Sequence, residues 1–208
     1  MRTQLRTSLI AAAAVACAAL APAVSHAGDF QVRFRTLYLD PANQNSTTNA
    51  EALPENVISV NSKYIWEVDG SYFITPNFAL ELIATSPQKQ TVSVAGDKIG
   101  TLRHLPPTLT AQYHFAPGNK TVQPYVGLGV NYTRFSAVKL ADGALTLEKK
   151  SWGTAIQVGA DFPLGNDLYL NVDFKKIDIR ADVSSGSTKL GTVKVDPILF
   201  GVGIGYRF

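Results

Sequence analysis

Ile198-Leu199-Phe200-Gly201-Val202-Gly203-Ile204-Gly205-Tyr206-Arg207-Phe208 alternates with period two: Ile198, Phe200, Val202, Ile204, Tyr206 and Phe208 are apolar, and Gly201, Gly203, Gly205 and Arg207 oppose them. Such alternation describes a β-strand with one apolar face and one polar or small one. In a soluble sandwich the apolar face would meet a protein core. In a transmembrane barrel it would meet lipid, with water or polar side chains on the other side. One strand does not decide between them.

The same pattern recurs upstream in segments of about ten residues, the length a tilted strand needs to cross a bilayer. Phe30, Val32, Phe34 and Tyr38 oppose Gln31, Arg33 and Arg35. Tyr64, Trp66, Val68 and Tyr72 oppose Glu67, Asp69 and Ser71, and Phe78, Leu80, Leu82 and Ala84 oppose Glu81 and Thr85. A fourth strand sets Leu105, Leu109, Ala111, Tyr113 and Phe115 against His104, Thr108, Thr110, Gln112 and His114. Val126, Leu128, Val130 and Tyr132 form the fifth, Trp152, Ile156, Val158 and Phe162 the sixth, and Leu168, Leu170, Val172 and Phe174 the seventh. With the closing segment the pattern predicts eight strands. Short turns at 75–77, 116–119 and 163–167 alternate with long polar segments near 40–62, 86–102, 136–150 and 181–191, which read as loops. Short periplasmic turns opposite long outer loops are the asymmetry of an outer-membrane barrel.

The amino terminus fits the same reading. Arg2 and Arg6 precede an apolar, alanine-rich run from Leu9 to Val24 and then Ser25-His26-Ala27, the plan of an export signal cleaved after Ala27. Residues 1–27 are therefore expected to be a leader and 28–208 one barrel domain. Cys17, the single cysteine, lies inside that leader, so no disulfide or thiol chemistry is expected of the mature chain. A lipid anchor at Cys17 is the lesser alternative. Removing two arginines from a net charge of +3 leaves +1, with both signs interspersed, and gives no argument for a nucleic-acid partner. Ile204, Tyr206 and the terminal Phe208 resemble the signal read by the barrel assembly machinery, which is expected as a partner together with outer-membrane lipid and lipopolysaccharide.

Several motifs carry a family resemblance. His104-Leu105-Pro106-Pro107-Thr108-Leu109, Pro124-Tyr125-Val126-Gly127 with Gly129 and Asn131-Tyr132-Thr133, Ser151-Trp152-Gly153, Gln157-Val158-Gly159, Asp196-Pro197 and Gly205-Tyr206-Arg207-Phe208 occur in order. Together they resemble the outer-membrane protein W (OmpW) family from about Phe30 to Phe208. The resemblance implies an all-β, eight-stranded antiparallel transmembrane barrel with a narrow, partly apolar lumen, associated with passage of small hydrophobic compounds.

An eight-stranded barrel has an interior just wide enough for side chains or one small ligand. By parity Arg33, Arg35, Glu67, Asp69, Glu81, Asp173 and Lys175 face inward, with Gln112, His114, Asp161 and Arg207; charges so buried must pair, which predicts a polar plug. Leu37, Leu39, Ile65, Ile83, Ile177 and Ile179 share that parity and are candidates for an apolar pocket near the outer mouth. A register slip at a bulge would instead turn some of them outward. Pro106-Pro107 removes two backbone donors from the fourth strand, so the ladder is expected to break there, either as a bend or as a lateral gap through which an apolar molecule leaves. Lys176 has outward parity and is expected at an interface, where its stem can snorkel.

Two other function classes compete with transport. An enzyme acting on lipids would draw on His104, His114 or Ser71, but no nucleophile motif frames them, and inward histidines in a barrel are ordinary hydrogen-bonding groups. A closed scaffold would use its outer loops to bind phage, bacteriocin or host. Three histidines, one in the leader, do not make a metal site, and no cofactor is expected.

Overall fold

The computed structural model describes residues 27–47 and 55–208. The expected leader, residues 1–27, lies outside them apart from Ala27. Eight strands close into a ring: β1 (Phe30–Asp40), β4 (Lys63–Phe73), β5 (Phe78–Thr85), β8 (Thr108–His114), β9 (Gln123–Leu140), β11 (Lys150–Gly165), β12 (Leu168–Ile177) and β15 (Ile198–Arg207). Each pairs antiparallel with its neighbours, and β15 pairs back onto β1 from Arg207 opposite Gln31 to Ile198 opposite Asp40. Closure gives each strand of the ring a partner on both sides, as the cost of unpaired backbone groups in a bilayer demands.

Gly201, Gly203 and Gly205 explain how β15 accepts its neighbour. Opposite them on β1 stand Leu37, Arg35 and Arg33. A Cβ on Gly205 would lie 3.0 Å from Cγ of Arg33, and one on Gly203 would run into the Phe34 carbonyl. The glycines give lumen space to long side chains from β1.

The outward residues are the apolar set of the sequence pattern. Aromatic pairs mark both rims: Tyr38 with Tyr64 and Tyr132 with Trp152 at one end, Phe30 with Phe208 and Phe78 with Tyr113 at the other. These are interfacial girdles, and the short turns lie at the second end, the periplasmic one. The turn from β11 to β12 holds Gly165, Asn166 and Asp167 all at positive φ, a backbone that glycine, asparagine and aspartate adopt most readily.

Among the described residues, the long segments read as loops hold further strands. β6 (Gln88–Val94) and β7 (Asp97–Leu105) form a hairpin over 88–105, turned by Ala95 and Gly96, and β7 pairs with the upper part of β9. With β3 (Ile58–Val60) they extend the barrel sheet above the membrane. A second sheet of β2 (Gln44–Thr47), β14 (Thr188–Lys194), β13 (Arg180–Ser185) and β10 (Thr146–Leu147) stands beside it. Their inward faces alternate Val92 and Val94, Ala181 and Val183, Val193 and Val195. The outer faces meet water, so the segments are polar in composition while still strands.

The predicted fourth strand also needs correction. Leu105 and Thr108 belong to two strands, β7 and β8, separated by Pro106-Pro107.

Candidate functional site: a lumen in two halves

Climbing β1 from the periplasmic end, the inward residues are Gln31, Arg33 and Arg35, then Leu37 and Leu39. β4 repeats the order with Ser71, Asp69 and Glu67 below Ile65, and β12 with Asn171, Asp173 and Lys175 below Ile177. On these strands paired registers bring the change from polar to apolar to one height, whereas on β8 and β9 the buried side chains of Thr108, Asn131 and Thr133 stay polar above it.

The lower half is a network of ion pairs. Arg33 meets Asp69 at 3.1 Å, Glu81 at 3.2 Å and Asp161 at 3.0 Å. Arg35 meets Glu67 at 2.6 Å, Asp69 at 2.8 Å and Glu81 at 3.2 Å, and its Nε donates to Asn171 at 2.7 Å. Lys175 lies 2.6 Å from Glu67 and 2.8 Å from Asp173. Neutral groups complete the acceptors: the Tyr125 hydroxyl and the Gln157 amide donate to Asp173, and Thr110 donates to Glu81. At the floor, Arg207 lies over the rings of Phe73 and Tyr169 and donates to Gln31. Charges withdrawn from water need such saturation, because a buried charge without a partner is far costlier than a paired one.

Tyr125, Asn171, Gln157 and Thr110 were not singled out in the sequence as plug members. Their parity, opposite to Val126, Leu170, Val158 and Leu109, carried the information.

The upper half is largely apolar, with buried polar side chains on its β6–β9 side, among them Gln88, Gln90, His104, Thr108 and Asn131. Leu37, Leu39, Ile65, Ile83, Ile177 and Ile179 are between 0 and 5 % exposed, and all but Ile83 join one cluster with Leu102, Phe135, Val183 and Val193 from the strands above. A void of about 10 Å³ lies just over the plug, among Leu39, Ile65, Ile83, Ile177, Ile179 and His104. A second, of about 40 Å³ and wholly apolar, lies higher, between the extended sheet and its neighbour. Its lining from Val92, Val183 and Val193 was missed because those residues sit in polar segments.

Pro106 and Pro107 stand at the same height. Toward β9 the ladder keeps register, since Leu105 pairs with Arg134 and Thr108 with Asn131, and the Tyr132 amide donates to the Pro107 carbonyl at 3.0 Å. Toward β5 it breaks: Ile83 pairs with Thr108, the next pair is Gln88 with His104, and Ala84 to Pro87 face Leu105 to Pro107 without a partner. Alternation along the strand directs the missing donor of Pro106 to the β5 side. The β4 ladder stops nearby, at Glu67 opposite Thr85.

Residues 26–208 match the OmpW family. The chain belongs to it. Outer membrane protein W of Vibrio cholerae is 30% identical over 98% of this chain and 100% of that protein. The crystal structure of OprG from Pseudomonas aeruginosa covers 88% of this chain and 97% of its own, with 30% identity and a TM-score of 0.73. The dibenzothiophene metabolism operon protein PahQ of Pseudomonas aeruginosa is 26% identical over 77% of this chain and 79% of that protein. This OmpW-family barrel is thus an outer-membrane protein of a Gram-negative bacterium, and its strands cross the bilayer.

Proposed function

We propose that the barrel passes small, largely apolar molecules across the outer membrane, receiving them in the apolar upper half and releasing them sideways into the bilayer between Ser86-Pro87 and Pro106-Pro107. The division of the interior carries this reading. An apolar molecule gains free energy by leaving water for the upper half. Passage onward through the plug would separate buried ion pairs, whereas the wall beside Pro106 holds no ladder bond to break. The name of PahQ, linked to the metabolism of a fused-ring apolar compound, points the same way.

The void of about 40 Å³ is far smaller than a ligand pocket of roughly 300 Å³, so uptake requires the two upper sheets to part. The two sheets face each other with apolar sides, and parting them would break the hydrogen bonds that join them, among them those from Val57 and Ile58 to Asn45, while leaving the ladders of the ring below intact. A closed scaffold presenting loops to phage, bacteriocin or host would be favoured by ion pairs along the full lumen; here they fill its lower half.

The test is uptake of a hydrophobic probe by cells with and without the protein. Pro106→Val with Pro107→Val, which restores the donors, should abolish protein-dependent uptake while leaving heat-modifiable gel migration intact. Unchanged uptake by the folded variant would refute lateral release.

A further inference from the structure

Among the described residues, buried polar atoms lacking a hydrogen bond fall mainly in two places. One is the periplasmic floor, at His114, Gln123 and Arg207. The other lies beside the break in the wall: both ring nitrogens of His104, both amide atoms of Gln90 and the Thr85 hydroxyl. In the plug between them, the carboxylate oxygens of Asp69 and Asp173 that lack a hydrogen bond still face Arg35 and Lys175 at 2.8 Å.

The upper group is not loosely held surface. His104 is 3 % and Gln90 1 % exposed. His104 lines the void over the plug together with Thr85, and also a small void above it together with Gln90, Leu102 and Phe135, so it joins the two. The Phe135 ring stacks on the imidazole with centroids 6.3 Å apart. Folding is opposed by each polar group buried without a partner, and here several collect on β5, β6 and β7, in surroundings that are mostly apolar but include Glu67, Gln88 and Thr108.

We propose that His104, Gln90 and Thr85 form a polar subsite in the passage, which selects apolar molecules carrying one neutral hydroxyl or carbonyl group over bare hydrocarbons. The inference rests on the transport reading above. Gln90 offers one donor group and one acceptor, Thr85 a hydroxyl that does both, and neutral His104 one of each. An alcohol or phenol needs that combination, since its oxygen accepts while its proton is donated. A bare hydrocarbon leaves every one of these groups unpaired, and a site with buried polar groups discriminates most strongly against the analogue lacking the matching group. A charged head is disfavoured by the apolar lining, and the nearby Glu67 is already held by Arg35 and Lys175.

Naphthalene and 2-naphthol differ by one hydroxyl and make the test. Initial uptake of each is measured in cells carrying the protein, less the rate in cells without it, and heat-modifiable migration verifies folding. Wild type should favour 2-naphthol by about tenfold, the effect of one well-placed hydrogen bond to a buried group. His104→Leu with Gln90→Leu should bring the ratio close to one, and His104→Asn should retain most of it. Gln90→Leu alone serves if the double variant fails to assemble, with an intermediate ratio expected. Protein-dependent uptake of both probes in the same ratio for wild type and variants would overturn the subsite and leave transport standing. No protein-dependent uptake of either probe would overturn transport and the subsite together.

Discussion

Replacing Arg35 with methionine tests whether the plug is the structural centre of the barrel. The guanidinium contacts Glu67, Asp69 and Glu81 within 3.2 Å and is 0 % exposed, so its loss leaves Glu67 with Lys175 alone and Asp69 and Glu81 with Arg33 alone, in a space that bulk water does not reach. Arg33, Arg35, Lys175 and Arg207 carry +4 against −5 from Glu67, Asp69, Glu81, Asp161 and Asp173, so the buried charge moves from −1 to −2. Breaking a buried pair by removing one partner costs about 3–5 kcal/mol. Methionine keeps much of the volume, so the loss is electrostatic more than steric. Glu67→Gln in the same chain restores the charge to −1 and should recover about 1–3 kcal/mol as a coupling term. Urea unfolding in lipid vesicles, followed by fluorescence of the lipid-facing Trp66 and Trp152, reads both numbers. A loss under about 1 kcal/mol for Arg35→Met, or strict additivity in the double variant, would refute the account of the plug.

The glycines of β15 give a sharper, all-or-none expectation. Gly203→Val should block assembly, because its Cβ meets the Phe34 backbone, whereas Val202→Ile on the lipid side should assemble normally; the heat-modifiable fraction decides. Outside the membrane, the Asp182 carboxyl is held below its ordinary range by hydrogen bonds from Lys189, at 2.7 Å, and from Thr192, at 2.6 Å. A depressed folded value means that this stabilisation is present above the unfolded pKa of about 3.9 and is lost as pH falls through the folded value. The pair is partly exposed, so the effect is small and local. Amide protection factors in β13 and β14, corrected for the intrinsic pH dependence of exchange, should fall as pH drops below about 4, and Asp182→Asn should remove most of that dependence; equal pH dependence of protection in both proteins would contradict it.

The membrane-spanning part was legible because its physics is local. Each strand has lipid on one side and the lumen on the other, so a period of two in hydrophobicity records both orientation and closure, as the burial of Arg33, Glu67 and Lys175 opposite Phe34, Trp66 and Phe174 illustrates. The same parity marked Leu37 and Ile179 as inward. Above the membrane the outer face of each strand meets water, the contrast between faces weakens, and segments such as Gln88–Val94 and Thr188–Lys194 pass for loops although they are strands.

The sequence by itself therefore determined the number of ring strands, the lipid face and the identity of most charges in the plug, since each depends on the solvent that a residue meets. Tertiary structure decided which cation meets which carboxylate and that the Pro106-Pro107 ladder holds toward β9 but breaks toward β5. It also decided that Thr85, Gln90 and His104 gather where two voids join. Those outcomes depend on register and on the meeting of strands distant in sequence, and a one-residue shift in pairing would change every one of them.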